Sequence, residues 1–181
     1  YKDVLGLVET GRDAERVYFK CWDERDHHSF IIRQADEAGI DFFGFKVLDD
    51  AALDDLERKL NEYGVETSRI PAGDLLETGE RVRFEVPSGH QIELYAHKTD
   101  IGNGLPMESP APWTSAAEHG IAPIRLDHTL LYGPNVDAVK DIFVDVLGFY
   151  LVERALDPDG NHVAVWLSCS LKAHDIAFGN Y

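Results

Sequence analysis

Two histidines, His128 and His174, are the side chains of this sequence best suited to chemistry. An imidazole can bind a metal ion through one ring nitrogen, and it can also accept or donate a proton near neutral pH. His128 lies in RLDHTLLYG, residues 125–133, where the alternation is typical of a strand. Alternation with period two places His128 on one face with three large side chains, Leu126, Leu130 and Tyr132. On spacing alone, a histidine of the core or of a pocket is favoured over a metal ligand.

His174 lies 46 residues after His128, in the segment KAHDIAF. It alternates with Ile176 and Phe178, so the same pattern predicts that it also faces an apolar side. Both histidines belong to one predicted unit of strands and one helix. Adjacent strands of that unit could bring the two imidazoles to one pocket, which makes a functional role as well supported as a structural one.

Glu93 is the carboxylate that could join a metal site, because in PSGHQIELY it shares a face with Gln91 and Tyr95. The neighbouring strand, DFFGFKV, would have to supply the partner ligand, but it offers Phe42 and Phe43 and no imidazole. A single carboxylate cannot hold a transition metal. We therefore predict a structural role for Glu93. Surface or capping roles are predicted for the six other histidines: His27, His28, His90, His97, His119 and His162.

Two segments of the chain repeat one pattern of helix and strands. The matching pieces are DVLGL and DVLGF (3–7 and 145–149), RVYFKCW and HVAVWLS (16–22 and 162–168), and HSFII and HDIAF (28–32 and 174–178). Each copy predicts a helix that ends at Leu-Gly, then a strand, a turn and a further strand. The second copy also has the preceding strand, RLDHTLLYG, and a helix whose apolar stripe is Val139, Phe143, Val146 and Leu147.

A third unit of the same kind lies between the two copies. Residues 41–48 predict a strand, and residues 49–64 predict a helix with an N-cap at Asp49 or Asp50 and an end at Gly64. RVRFEV and HQIELYA predict a hairpin across PSG. The side chains expected to face inward from the helix are Leu53, Leu56, Leu60 and Tyr63. An α+β fold of paired βαβββ modules follows, in which the first module lacks its opening strand.

The module pattern predicts two domains. Residues 1–98 would hold two modules without metal, and residues 125–181 would be the truncated first module of a catalytic domain. Residues 99–124, with four of the eight prolines, would be a linker between them. YKDVLGL is typical of the last turn of a helix without its N-cap, and AHDIAFGNY stops in or just after a strand. The sequence is therefore expected to be an internal part of a longer protein.

Composition excludes several classes of function. The formal net charge of −16 disfavours binding to nucleic acid or to an anionic membrane. Cys21 and Cys169 are far apart in the sequence, so neither a disulfide framework nor a cysteine zinc site is expected. The sequence shows no membrane-length apolar run and no signal peptide, which predicts a protein of the reducing cytoplasm. It has no G-x-S-x-G, phosphate-loop or dinucleotide motif either, so nucleophilic serine or cysteine catalysis is unsupported.

The order of these motifs resembles the type I extradiol ring-cleaving dioxygenases of the vicinal oxygen chelate superfamily. DHTLLYG, VLGFYL and KAHDIAF together are the most specific part of the resemblance, which covers nearly the whole chain. It implies an Fe(II) enzyme that cleaves catechol and substituted catechols with O₂ to 2-hydroxymuconate semialdehydes, in the degradation of aromatic compounds. It also implies a homotetramer. In this family two histidines and one carboxylate hold the iron and leave positions open for substrate and O₂.

Residue by residue, the resemblance implies that His128 is the first histidine ligand of the iron and that His174 is the acid–base residue. Two positions fall where the family lines its catechol pocket, Leu130 and Trp166. Phe42 takes the place of a ligand histidine in the first domain, which leaves Glu93 as the remnant of a ligand there. The second histidine and the glutamate ligand would lie outside this sequence, so the 181 residues alone are expected to be inactive.

Two other functions fit the same fold. One is a metal-dependent isomerase or lyase of the glyoxalase kind, which would need a second metal ligand within reach and would leave KAHDIAF unexplained. The other is a binding protein without enzymatic activity, which would need no metal. Tight binding of iron by the intact protein would separate this last function from the two enzymes.

Overall fold

The computed structural model describes residues 1–105 and 119–180. Most of the predicted linker, residues 106–118, lies outside the described residues, and so does Tyr181. The elements in chain order are β1 (Val8–Arg12), β2 (Arg16–Lys20), β3 (Phe30–Arg33), β4 (Phe43–Lys46), α1 (Asp50–Tyr63), β5 (Thr67–Ile70), β6 (Arg81–Glu85), β7 (Gln91–Tyr95), β8 (Thr129–Tyr132), α2 (Val136–Asp141), a π-helical turn (Ile142–Val146), β9 (Tyr150–Leu156), β10 (His162–Ser168) and β11 (Ile176–Gly179). None of the helices in this part of the chain is long and apolar enough to cross a membrane.

The described strands form three sheets, with the orders β1-β2-β3, β4-β7-β6-β5 and β8-β11-β10-β9. In the second and third sheets the first strand of the module pairs in parallel with the last one, and the other pairs are antiparallel. A parallel pair needs a crossover connection, which the helix of each module provides. This arrangement confirms the predicted α+β fold of βαβββ modules.

Helix α1 begins and ends where its sequence predicts. The side chain of Asp49 accepts a hydrogen bond of 2.8 Å from the Ala52 N–H, which satisfies one free donor of the first turn. Gly64 ends the helix with φ 95°, a left-handed conformation that glycine adopts without steric cost. Leu53 and Leu60 are buried, but the inward position predicted for Tyr63 was wrong, since 49% of this residue is exposed.

The repeated Leu-Gly pairs close their turns in the same way. Gly6 and Gly148 have φ of 76° and 75°, a region in which other L-residues are strained. In each case the next N–H donates to a carbonyl six residues back, from Leu7 to Tyr1 at 3.3 Å and from Phe149 to Phe143 at 2.9 Å. The structure therefore confirms the internal repeat. The segment before Gly6 is a single turn, whereas α2 continues into the π-helical turn before Gly148.

The chain divides into two compact units that alternate along the sequence. One comprises Tyr1–Gly39, Gly73–Gly79 and Lys98–Leu126; the other comprises Ile40–Ala72, Glu80–His97 and Asp127–Tyr181. In the second unit, side chains from the helices and both four-stranded sheets form one core, in which the ring centroids of Phe45 and Phe149 are 5.3 Å apart. The predicted domain limits follow the modules and stay a prediction.

The start of β8 and the presence of β5 differ from the sequence prediction. β8 begins at Thr129 rather than at Arg125, because β11, with which it pairs among the described strands, begins at Ile176, opposite Thr129. β5 was not predicted, since Thr67–Ile70 has no apolar alternation. Pairing with β6 forms this strand, and its Arg69 makes ion pairs with acidic side chains of the same unit.

Candidate active site

The third sheet brings His128 and His174 together. His128 directly precedes β8, and His174 lies two residues before the start of β11. Because β8 and β11 are parallel, with Thr129 opposite Ile176, the residues that precede both strands lie at the same end of the sheet. The two imidazole centroids are 4.4 Å apart and the ring planes meet at 71°. One pocket or site can therefore use both rings.

The predicted inward orientation of His128 from the middle of a strand was wrong for this chain. Its side chain is 48% exposed, and Leu130 on the same side of β8 is 43% exposed. The core is on the other side of the strand, where Leu131 is buried. His174 is half-buried; it precedes β11, so the alternation that points Ile176 and Phe178 into the core does not extend to it.

Leu130 and Trp166 lie on the same side of the third sheet. Strand register places Leu130 opposite Ala177 and Ala177 opposite Trp166, and residues paired in this way point to the same side of a sheet. We call this side the open face; on it Leu130 is exposed, Trp166 is half-buried and Ala177 is buried. Its small central residue separates two large apolar side chains. An aromatic ring could lie against such a surface beside His128.

Asp127 fixes the ring of His128. Its Oδ2 atom is 2.7 Å from the Nδ1 atom of His128, so a neutral imidazole donates its Nδ1 proton to the carboxylate. Metal-binding histidines are commonly held in this way, because the bond fixes the ring and leaves the Nε2 lone pair for the metal. Within the described part of the chain, Nε2 of His128 makes no hydrogen bond. These features fit one ligand of a metal ion.

The loop between β10 and β11 is organised by Asp175. Its carboxylate accepts hydrogen bonds of 2.9 Å from the Cys169 N–H and 3.1 Å from the Ser168 hydroxyl. Burial alone would raise the pKa of Asp175, but hydrogen bonds from Lys172 and the loop outweigh it and lower the pKa to about 2. Burial and the nearby carboxylate raise the pKa of Cys169 to about 11. His174 therefore sits on a loop held by a carboxylate that is ionised at neutral pH.

The second module has an ion-paired cluster where the third has its open face. Glu93 is fully buried, with Oε2 2.7 Å from Nη1 of Arg81 and Oε1 2.7 Å from Nε of Arg83. Both guanidinium groups lie over the ring of Phe42, 5.8 and 5.3 Å from its centroid. Phe42 directly precedes β4 just as His128 precedes β8. Glu93 thus has the structural role that its sequence context predicted.

Several other histidines are less exposed than predicted. His27 and His28 are buried, with their Nδ1 atoms 2.9 Å apart and the ring of Tyr18 close to both. The side chain of His162 is 10% exposed and its Nδ1 is 2.5 Å from a carboxylate oxygen of Asp137. Surface roles for these three were wrong, because contacts with distant parts of the chain cover them.

Sequence reasoning missed Lys172 and Asp175. Both flank His174 in KAHD, and a charged pair three residues apart around a histidine could have suggested them. Among residues 1–105 and 119–180, no group of three or more His, Cys, Asp or Glu side chains could hold a metal ion. If His128 binds a metal ion, its ligand set would therefore have to be completed by residues outside 1–105 and 119–180.

The chain is similar to several known dioxygenases. Residues 40–99 match the family model of the catechol 2,3-dioxygenase-like N-terminal domain. The chain is 48% identical over 180 residues to a metapyrocatechase of Pseudomonas sp. strain CF600, covering 98% of this chain and 58% of that protein. It is 24% identical over 180 residues to a manganese-dependent 2,3-dihydroxybiphenyl 1,2-dioxygenase of Geobacillus genomosp. 3, covering 97% of this chain and 56% of that protein.

Among solved structures, the 2,3-dioxygenase LapB of Pseudomonas sp. KL28 superimposes with a TM-score of 0.96 at 68% sequence identity. The match covers all of this chain and 64% of that one. The chain thus spans less than two thirds of the length of each of these relatives.

Proposed function

We infer that the protein containing this chain carries out the reaction of the extradiol ring-cleaving dioxygenases, because the chain is similar to them in sequence and in fold. That reaction is cleavage of catechol or a substituted catechol by O₂ to a 2-hydroxymuconate semialdehyde. The observation that supports it most is the 4.4 Å contact between the rings of His128 and His174 in a chain 48% identical to a metapyrocatechase. The relative is longer, so the activity is proposed for the whole protein.

The similarity implies a catalytic metal, for which we propose Fe(II) rather than the manganese named for one relative. His128 would bind it through Nε2, because Asp127 holds the opposite ring nitrogen. Two histidines and one carboxylate suit this metal. The second histidine and the glutamate would lie in the part of the whole protein that corresponds to the unmatched remainder of the metapyrocatechase, of which this chain covers 58%. When bound, the metal supplies a Lewis acid for the catechol oxygens and a coordination position for O₂.

His174 would act as the acid–base residue. Its ring contacts that of His128, so it lies beside the position where the reactants meet, and it is half-buried on a loop fixed by Asp175. At a ring nitrogen, it would donate a hydrogen bond to the dioxygen atoms and pass a proton to them as the O–O bond breaks. An imidazole suits this step because it exchanges protons near neutral pH.

Leu130 and Trp166 would bind and orient the substrate ring. They flank Ala177 on the open face, on the same side of β8 as His128. Apolar side chains on both sides of a small residue exclude water from a flat aromatic ring and restrict its rotation. Homotetrameric assembly remains a prediction from the resemblance, and a cytoplasmic location remains a prediction from the sequence composition.

The test is ring cleavage by the longest reading frame that contains this sequence. The purified protein is loaded with Fe(II) or Mn(II) without air and given catechol, and air is then admitted. We expect a yellow product that requires both Fe(II) and O₂, and no product from the 181 residues alone. A folded, metal-loaded protein that stays colourless with catechol and substituted catechols would contradict the proposal and favour a glyoxalase-like enzyme or a binding protein.

A further inference from the structure

We propose that Lys172 is a positioning residue that joins the two segments carrying His128 and His174. The proposal rests on the proposed function of these histidines. Lys172 lies in the loop between β10 and β11, two residues before His174. Its contacts are with Asp127 and Asp175, neither of which belongs to the open face. Its effect on the reaction would be indirect, through the placement of the two imidazoles.

The ammonium group of Lys172 contacts both segments. Its Nζ donates a short hydrogen bond to the main-chain carbonyl of Asp127 and is 3.7 Å from Oδ1 of the same residue. It is also 2.9 Å from Oδ1 of Asp175. Asp127 directly precedes His128, and Asp175 directly follows His174. One cation therefore bridges the neighbours of both histidines.

Both ends of this bridge are themselves fixed. Oδ2 of Asp127 holds Nδ1 of His128, while Oδ2 of Asp175 accepts from the Cys169 N–H at 2.9 Å. The result is a continuous polar path from one imidazole segment to the other through a single ammonium. A lysine suits this place because its compact charge has three donors, which can serve one carbonyl and two carboxylates.

The Lys172–Asp175 half of the bridge is more shielded from water than an ordinary surface ion pair. The side chain of Lys172 is 28% exposed and that of Asp175 is 11% exposed, whereas that of Asp127 is 46% exposed. Exposed pairs contribute little because water screens them, whereas pairs with less solvent access hold their geometry better. Loss of the ammonium would also leave two carboxylates without their shared cation. The loop carrying His174 would then no longer be tied to the start of β8.

Lys172 would thus set the distance between the metal ligand and the acid–base residue. Proton transfer needs its donor within hydrogen-bond reach of the reacting oxygen, and a misplacement of about 1 Å can lower a rate roughly 100-fold. The three metal ligands, by contrast, do not include His174. A defect at Lys172 should therefore affect turnover more than metal content or substrate affinity.

The experiment compares Lys172→Met, Lys172→Arg and a matched control, Lys140→Met, in the whole protein. Lys140 also lies between two carboxylates, 2.8 Å from Asp141 and 4.0 Å from Asp137, with 21% of its side chain exposed, but it is on α2. In Lys172→Met we expect kcat per bound metal to fall about tenfold or more, while the KM for catechol stays within about twofold of the wild-type value. Lys172→Arg, which keeps the positive charge, should retain most of the wild-type kcat. Lys140→Met should match the wild type.

A second measurement does not depend on activity. In the metal-free protein, the amide protons of Cys169 and Asp175 should exchange faster in Lys172→Met than in wild type or Lys140→Met, because both amides belong to the braced loop. Lys172→Gln provides a milder variant of the same test where the methionine variant does not fold. Wild-type kcat and wild-type exchange in the folded variant would overturn the positioning role. An inactive wild type with faster exchange in the variant would instead contradict only the proposed function.

Discussion

His128 and His174 touch each other, but the structure holds them by different means. His128 is bound through Nδ1 to the adjacent Asp127, which orients a single ring nitrogen outward. His174 has no such partner among the hydrogen bonds of the described chain and takes its place from the loop fixed by Asp175. A ring held through one nitrogen suits coordination, and a ring held by its backbone suits proton exchange. Removal of either should therefore produce a different defect.

His128→Ala should lose bound iron, because it would remove the proposed ligand, whereas His174→Ala should retain iron near the wild-type level. Turnover of the iron-loaded His174→Ala protein should fall about 100-fold or more, the usual size of a general acid–base contribution. Metal analysis and single-turnover kinetics of the whole protein measure both effects.

The control for these two variants is His97→Ala. His97 is also an exposed histidine beside an aspartate, with Nε2 3.1 Å from Asp50, but it lies in the second module. It should keep iron and activity. Full iron occupancy in His128→Ala would contradict the role of His128 as a ligand. Loss of iron from His174→Ala would indicate that His174 is a ligand instead of the acid–base residue.

At the scale of elements, the second and third modules use one framework for two purposes. In both, a residue directly precedes the first strand and faces the last strand of the module: Phe42 before β4 and His128 before β8. The last strands differ as well, with a buried Glu93 at the position that Ala177 occupies in the third sheet. The same backbone therefore supports a charged interior in one module and an apolar face in the other.

Glu93→Gln should destabilise the protein by about 3–5 kcal/mol, because it removes the buried carboxylate that pairs with both Arg81 and Arg83. Denaturant unfolding followed by tryptophan fluorescence measures the change in the free energy of unfolding. Glu80→Gln is the control, since Glu80 pairs with Arg69 at a site where 47% of its side chain is exposed. That change should cost less than about 1 kcal/mol. Equal effects of the two substitutions would argue against a structural role for the buried cluster.

Local sequence signals predicted much of this framework. Asp49 and Gly64 bound α1 because caps act within a few residues, and the Leu-Gly repeat was visible for the same reason. The start of β8 was not predictable from its own alternation, because it depends on where β11 begins, more than 40 residues later. The burial of His27 and His28 and the bridge through Lys172 likewise depend on tertiary contacts. The residues of the candidate site could be named from sequence, but the contacts that hold them could not.

At the scale of the whole molecule, strong negative charge coexists with exposed apolar side chains on one sheet. The chain has 33 acidic and 17 basic residues. Leu130 is 43% exposed and Tyr132 is 59% exposed on β8. Electrostatic repulsion keeps such molecules apart at low ionic strength, and an apolar patch favours association once that repulsion is screened. Association of the chain should therefore increase with salt concentration.

The 181-residue chain should be monomeric in dilute buffer and associate at about 1 M NaCl, where the Debye length falls to about 3 Å. Sedimentation velocity measures the change. Leu130→Asp should reduce the association by placing a charge on the open face. Leu48→Asp is the control, because Leu48 is 90% exposed and lies in the second module. An equal effect of both substitutions, or association that weakens with salt, would show that the open face is not responsible.

The Arg81–Glu93–Arg83 cluster has a consequence for how such a protein is made. Residues 40–99 neutralise their buried carboxylate with their own guanidinium groups, so their folding does not have to wait for a metal ion. The metal would then be needed for the proposed catalytic centre and not for the burial of Glu93 while the chain folds.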